Sequence, residues 1–172
     1  MADFGLPDRD NPGGVQFTPA RFNEANRQWA AANDHTFVNS TDYSNLHWTS
    51  GINKPEEIYT TFKVSLPATT EAGLKILKYA NNWSSKNGFN VKVNGMARSQ
   101  AVQDYMRQQP RMMGVAARSS SHRIGGIDFD YPRNTNGSIN TVKTEEFMNY
   151  LKGFGYTVID HNNHIHVGPQ AL

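Results

Sequence analysis

Apolar residues recur along this chain with two different periods, and the switches between them mark out its elements. Thr18-Pro19 sets a capping hydroxyl before a proline suited to the first helical position. Phe22, Ala25 and Trp29 then share one face, which predicts a helix over about 19–32. Residues 33–57 are polar and turn-rich, the pattern of a loop carrying one or two short strands. Phe62, Val64 and Leu66 alternate and predict a strand over Ile58–Leu66. Thr69 and Thr70 ahead of Glu71 open the clearest helix, roughly 70–86, with Leu74, Leu77, Ala80 and Trp83 as its apolar stripe and Asn87-Gly88 as its stop. Phe89–Val93 alternates as a strand, and a shorter helix over about 99–109 ends at Pro110, followed by a loop over 111–120.

The last third repeats the alternation. Gly126–Tyr131 reads as a strand with Ile127, Phe129 and Tyr131 on one face and Asp128 and Asp130 on the other. A turn-rich loop leads to a helix over about 142–152, whose apolar residues are Phe147, Tyr150 and Leu151 and whose stop is Gly153. Strands at Tyr156–Ile159 and His164–Val167 close the chain. No repeat or low-complexity tract interrupts this order. The expected architecture is one α+β domain, a mostly antiparallel sheet flanked by helices, with an irregular N-terminal extension. Residues 1–60 are assigned to that extension, packed on or wrapping the core, and 61–172 to a catalytic core.

Composition narrows the chemistry. A chain of 172 residues, 37% hydrophobic and 19% charged, suits a single globular core. Seventeen Lys and Arg against fifteen Asp and Glu leave a formal charge of +2, which gives no support to a nucleic-acid surface. Cysteine is absent, so disulfide scaffolds, thiol nucleophiles and cysteine-bearing zinc sites are excluded, and any metal must be held by His, Asp or Glu. The first residues, MADFGLPDRDNPGG, show neither a basic n-region nor an apolar h-region, and no signal peptide is expected. No apolar run approaches the ~18 residues of a membrane span, so no membrane insertion is expected.

Four of the six histidines lie at 122, 161, 164 and 166. On the last strand His164 and His166 are two apart and face one way, while Ile165 and Val167 face the other. Asp128 has the same setting between Ile127 and Phe129. Two strands presenting a carboxylate and imidazoles on a common face, with His122 at the mouth of a Ser/Gly loop, suit a catalytic zinc with three protein ligands and one open position. Each piece alone has a plainer reading: His-x-His pairs are common on solvated strands, Asp128 and Asp130 fit the wet face of an edge strand, and Ser99 could merely cap a helix.

The pieces also fall in a telling order. Arg98-Ser99-x-x-x-Gln103, then Ser120-x-His122-x-x-Gly125 leading into Ile127-Asp128-Phe129, then His164-x-His166 resembles the zinc D-alanyl-D-alanine carboxypeptidases and L-alanyl-D-glutamate endopeptidases, a family that includes many phage endolysins. The resemblance covers about residues 89–168. It implies Zn2+ held by His122, Asp128 and His166, with catalytic roles for His164, His161 and Arg98. Arg98, Gln103 and Ser120 are then the residues expected to meet substrate. Two departures keep alternatives open. The family sets its Asp seven residues after the His, where this chain has Phe129, so Asp128 is favoured and Asp130 is the other carboxylate. The acidic base three residues before the last ligand is missing, and either His166 ligates with His164 as base or His164 ligates with His161 as base. Asp160 is placed to orient one of these imidazoles.

The function implied is cleavage of a stem-peptide or cross-bridge amide in bacterial peptidoglycan by a monomer with no nucleic-acid partner. Synthesis in the cytoplasm is expected, with the wall reached by holin-type release or as part of a virion. The rival expectation is a degenerate, non-catalytic relative that binds cell wall or builds a virion.

Overall fold

The computed structural model describes residues 27–48, 66–98, 103–104 and 121–169. The expected strand at Ile58–Leu66 lies outside them apart from Leu66, which bridges to Ala97. So do residues 19–26 of the first expected helix, most of the helix expected over 99–109, and Ser99 and Ser120; residues 27–32 and 103–104 are helical.

Two helices form where cap and stripe coincide. Helix α1, Glu71–Asn87, starts because extended Thr70 accepts the Gly73 N–H on its hydroxyl. It stops because Gly88 takes the left-handed conformation, φ +70°, and returns its N–H to Ser84. Helix α2, Thr141–Lys152, is capped by the Asn140 side chain, which accepts from Lys143 N. The described residues also form seven strands: β1 (Thr36–Phe37), β2 (Leu46–Trp48), β3 (Ala68–Thr69), β4 (Val91–Gly95), β5 (Ile127–Phe129), β6 (Thr157–Asp160) and β7 (Ile165–Gly168). β1 and β3 form a two-stranded antiparallel pair, and the rest form one sheet in the order β2-β4-β5-β7-β6. Among the described residues only the β2–β4 pairing is parallel, so the fold is α+β with a mostly antiparallel sheet.

Several boundaries differ from the sequence expectation by one or two residues. The largest shift is at β4, expected from Phe89 but starting at Val91. Phe89 instead sends its N–H to Ser84 and stacks on Trp83, completing the helix stop before the ladder begins. β2 comes from the stretch assigned to the N-terminal extension and pairs with β4.

Both helices cover one face of the sheet. Val91, Val93, Ile127, Phe129, Ile165 and Val167 point into a core shared with Ile76, Leu77, Trp83, Phe147 and Leu151. The alternate residues Lys92, Asn94, Asp128 and His166 point to the opposite face, away from α1 and α2, and are only partly buried. Among the described residues no helix is long and apolar enough to cross a membrane.

Candidate metal centre

The register of the central strands sets the site. Ile127 pairs with Val167 and Phe129 with Ile165, so Asp128 lies directly across from His166 on the open face. His122 arrives from a short 3-10 turn, Ser121–Ile124, folded back by a hydrogen bond from Gly126 N–H to the Ser121 carbonyl at 2.9 Å. This turn docks on the start of α1, where the Thr70 hydroxyl donates to Ile124 O at 3.1 Å. The approach is too close for side chains. A Cβ at Gly125 (φ +110°) would lie 2.4 Å from Thr70 Oγ1, and one at Gly73 would lie 2.9 Å from Gly125 O. Glycine in the first turn of α1 is therefore part of how His122 reaches the sheet.

One nitrogen or oxygen from each of His122, Asp128 and His166 lies within 4.8 Å of the others, a group that could bind a metal ion. His122 Nε2 is 3.2 Å from Asp128 Oδ2, and His166 Nδ1 is 2.7 Å from Asp128 Oδ1. His122 donates its Nδ1–H to the Gly126 carbonyl at 2.9 Å, which turns Nε2 into the site toward the Asp128 carboxylate. His164 donates from Nδ1 to Asn163 Oδ1 at 2.5 Å, which leaves Nε2 as its basic nitrogen, 3.8 Å from Asp128 Oδ1. The His161 ring stacks on that of His164 at 4.9 Å and 29°. Arg98 is buried; its Nη2 stands 3.9 Å from Asp128 Oδ2, and its Nη1 donates to Gln103 Oε1 at 2.9 Å.

Burial alone would raise the Asp128 pKa, but the facing His122, His166 and Arg98 overcome it and hold the carboxyl well below its usual range. Burial pushes the His122 imidazole below its ordinary value, against the pull of Asp128. An anionic carboxylate beside a neutral imidazole is the protonation state a divalent cation needs. Two imidazoles and one carboxylate are a donor set that fits zinc, and among the described residues no fourth acid or imidazole completes the group.

The two carboxylates on the Asp128 strand have different surroundings. Asp130 lies beyond the end of β5, where Arg133 grips both its oxygens at 2.8 and 3.1 Å and Tyr131 N–H adds a third bond at 2.8 Å. It does not join the His122–Asp128–His166 group. Asp160, expected beside the imidazoles, accepts from the Tyr131 hydroxyl at 2.5 Å and from Asn162 N–H at 2.9 Å, and these bonds, with His161 and His164 nearby, hold its carboxyl below the usual range. Gln103, expected to meet substrate, holds Arg98. A groove of about 900 Å3 lined by His47, Lys92, Asp130, Tyr131, Arg133 and Thr135 runs beside this strand.

One contact was not legible in the sequence. Ser121 Oγ hydrogen-bonds His166 Nε2, so Ser121, His166 and Asp128 form a chain in the order of a Ser-His-Asp triad. Asp128 does not behave as a triad carboxylate, which serves one imidazole: His122 and Arg98 face it as well. The geometry therefore favours a cation site over a serine nucleophile. No protein-family model matches the chain, and neither a curated protein nor a solved structure matches it.

Proposed function

We propose that the chain is a zinc-dependent peptidase that cuts a stem-peptide or cross-bridge amide of bacterial peptidoglycan, as an endolysin or virion-borne hydrolase of a phage. The observation that carries this reading is the convergence of His122, Asp128 and His166 on one point, with a basic His164 Nε2 beside it. These three residues come from the motifs by which the sequence resembles the cell-wall peptidases.

His122, Asp128 and His166 would hold the zinc, which when bound supplies Lewis-acid polarisation and a water acidified to a pKa of about 7. His164 Nε2 takes a proton from the attacking water and returns it to the departing amine nitrogen as the C–N bond breaks. The Asp128 carboxylate, 3.8 Å away, steadies the imidazolium between these transfers. His161, stacked on His164, restrains the ring. Arg98 brings a fixed positive charge to the site, braced by Gln103, and is assigned to a substrate carbonyl or carboxylate.

Purified peptidoglycan tests this. The zinc-loaded protein should release new amino groups without new reducing sugar ends, and chelation should stop it. His122→Ala and His166→Ala should each lose both zinc and activity. A protein that binds the wall but releases no amine in any metal state is the non-catalytic alternative, and that result would end the enzymatic reading.

A further inference from the structure

The two imidazoles of the centre are held differently, and the difference assigns a role to a residue outside the recognised motif. His122 is fixed by a carbonyl, Gly126 O, which accepts and never donates, so its proton stays on Nδ1 with or without a cation. His166 faces Asp128 through Nδ1 and Ser121 through Nε2. A hydroxyl both donates and accepts.

We propose that Ser121 is the positioning residue of the metal centre, a hydrogen-bond adaptor that lets His166 change tautomer when the cation binds. Without a cation, His166 Nδ1–H donates to Asp128 Oδ1, and the Ser121 hydroxyl donates to Nε2. With a cation, Nδ1 must offer its lone pair, so the proton resides on Nε2 and donates to Ser121 Oγ. As the cation takes Nδ1, the proton there passes to water and Nε2 takes one from water, so the ring's proton count is unchanged; the hydroxyl turns from donor to acceptor, and no hydrogen bond to Nε2 is lost. This rests on the metal-binding part of the functional reading and not on peptide cleavage.

The packing is built around this contact. A Cβ at Gly126 would fall 2.6 Å from Ser121 Oγ and 3.0 Å from His166 Cε1, so glycine is what lets the hydroxyl and the ring meet. The Ser121 carbonyl accepts the Gly126 N–H, and the Gly126 carbonyl accepts from His122. A single short turn thus orients both imidazoles, one through a backbone oxygen and the other through a side-chain oxygen.

Two measurements test the adaptor. Nitrogen-15 NMR of histidine-labelled wild-type protein should place the His166 proton on Nδ1 in the metal-free state and on Nε2 after one equivalent of zinc, while His122 keeps its proton on Nδ1 throughout. Competition with a chromophoric chelator should show Ser121→Ala binding zinc about 10- to 100-fold more weakly than wild type, the range seen when a partner of a metal-bound histidine is removed. Ser121→Thr, which keeps the hydroxyl, should recover most of that loss. The wild-type spectra decide the tautomer question even where a variant folds poorly.

An unchanged His166 tautomer on zinc binding overturns the proposal, as does wild-type zinc affinity in Ser121→Ala. Labelling of Ser121 by a fluorophosphonate would also overturn it, by making the hydroxyl a nucleophile. Failure of the wild-type protein to bind zinc defeats this proposal and the peptidase together. Tight, Ser121-dependent zinc binding without amine release from peptidoglycan defeats only the peptidase.

Discussion

The two faces of the five-stranded sheet are built from alternate residues of the same strands, yet they are held by opposite means. On the helix face Ile127, Phe129, Ile165 and Val167 pack against α1 and α2 by shape and burial, which are non-directional and tolerate small adjustments. On the open face Asp128, His122, His166, His164 and Arg98 are close-set polar groups whose protonation and orientation depend on one another. The first face fixes the second. A one-residue slip of β5 against β7 would turn Asp128 into the apolar core and Phe129 onto the cation site.

The contrast breaks most visibly by substitution on each face in turn. His122→Ala should abolish stoichiometric zinc binding by equilibrium dialysis while the metal-free protein still unfolds in one cooperative urea transition. Phe147→Ala, on the other face, should cost about 3–5 kcal/mol in urea unfolding, with zinc affinity of the folded fraction unchanged. If the core change weakens zinc binding instead, the two faces are not separable in this way.

Arg98→Met sharpens the electrostatic half. It removes the buried cation beside Asp128 and should destabilise the metal-free protein by about 3 kcal/mol, measured by urea titration. The deficit should shrink when zinc is present, because the metal supplies the missing positive charge. An equal deficit in both states would show that Arg98 acts through packing alone.

Acid should act on the open face before the core. His122 is held below its ordinary 6.5, so as pH falls past that value the unfolded chain takes up a proton that the folded chain refuses. His35, also lowered chiefly by burial, acts in the same direction. Asp128, held well below 3.8, does likewise in the more acid range. In each case the unfolded state binds more protons, so metal-free stability should fall as pH drops from 6.5, by roughly 1 kcal/mol per pH unit for each such group. Urea midpoints between pH 7.5 and 4 check the slope, and a flat profile contradicts it. The smallest effect is expected from Thr70→Ala, which removes the α1 cap and the bond to Ile124 and should cost about 1 kcal/mol, read from thermal melts.

Much of this was legible in the sequence because alternation reports which face a residue takes. The alternation in Ile127-Asp128-Phe129 and His164-Ile165-His166-Val167 puts the carboxylate and two imidazoles on one side. The choice between Asp128 and Asp130 was harder, since alternation puts both on the same face. It turned on β5 ending at Phe129 and on Arg133, three residues past Asp130, folding back to grip it. Contacts that depend on close approach left weaker traces. Gly73 reads as a poor residue for a helix and Ser121 as loop material, until the turn carrying His122 is seen docked on α1. Asp160 combines both kinds of neighbour: it lies beside His161 and His164, as sequence proximity suggested, and also takes the hydroxyl of a tyrosine 29 residues away.

Anomalous diffraction at the zinc edge from crystals grown with one equivalent of zinc tests the central claim most directly. One peak is expected, bonded to His122 Nε2, an Asp128 oxygen and His166 Nδ1, with His164 Nε2 facing a non-protein ligand. A peak bonded to Asp130, or to His164 with His161 as its neighbour, would contradict the assignment of the centre, and no peak on this face would contradict the centre itself.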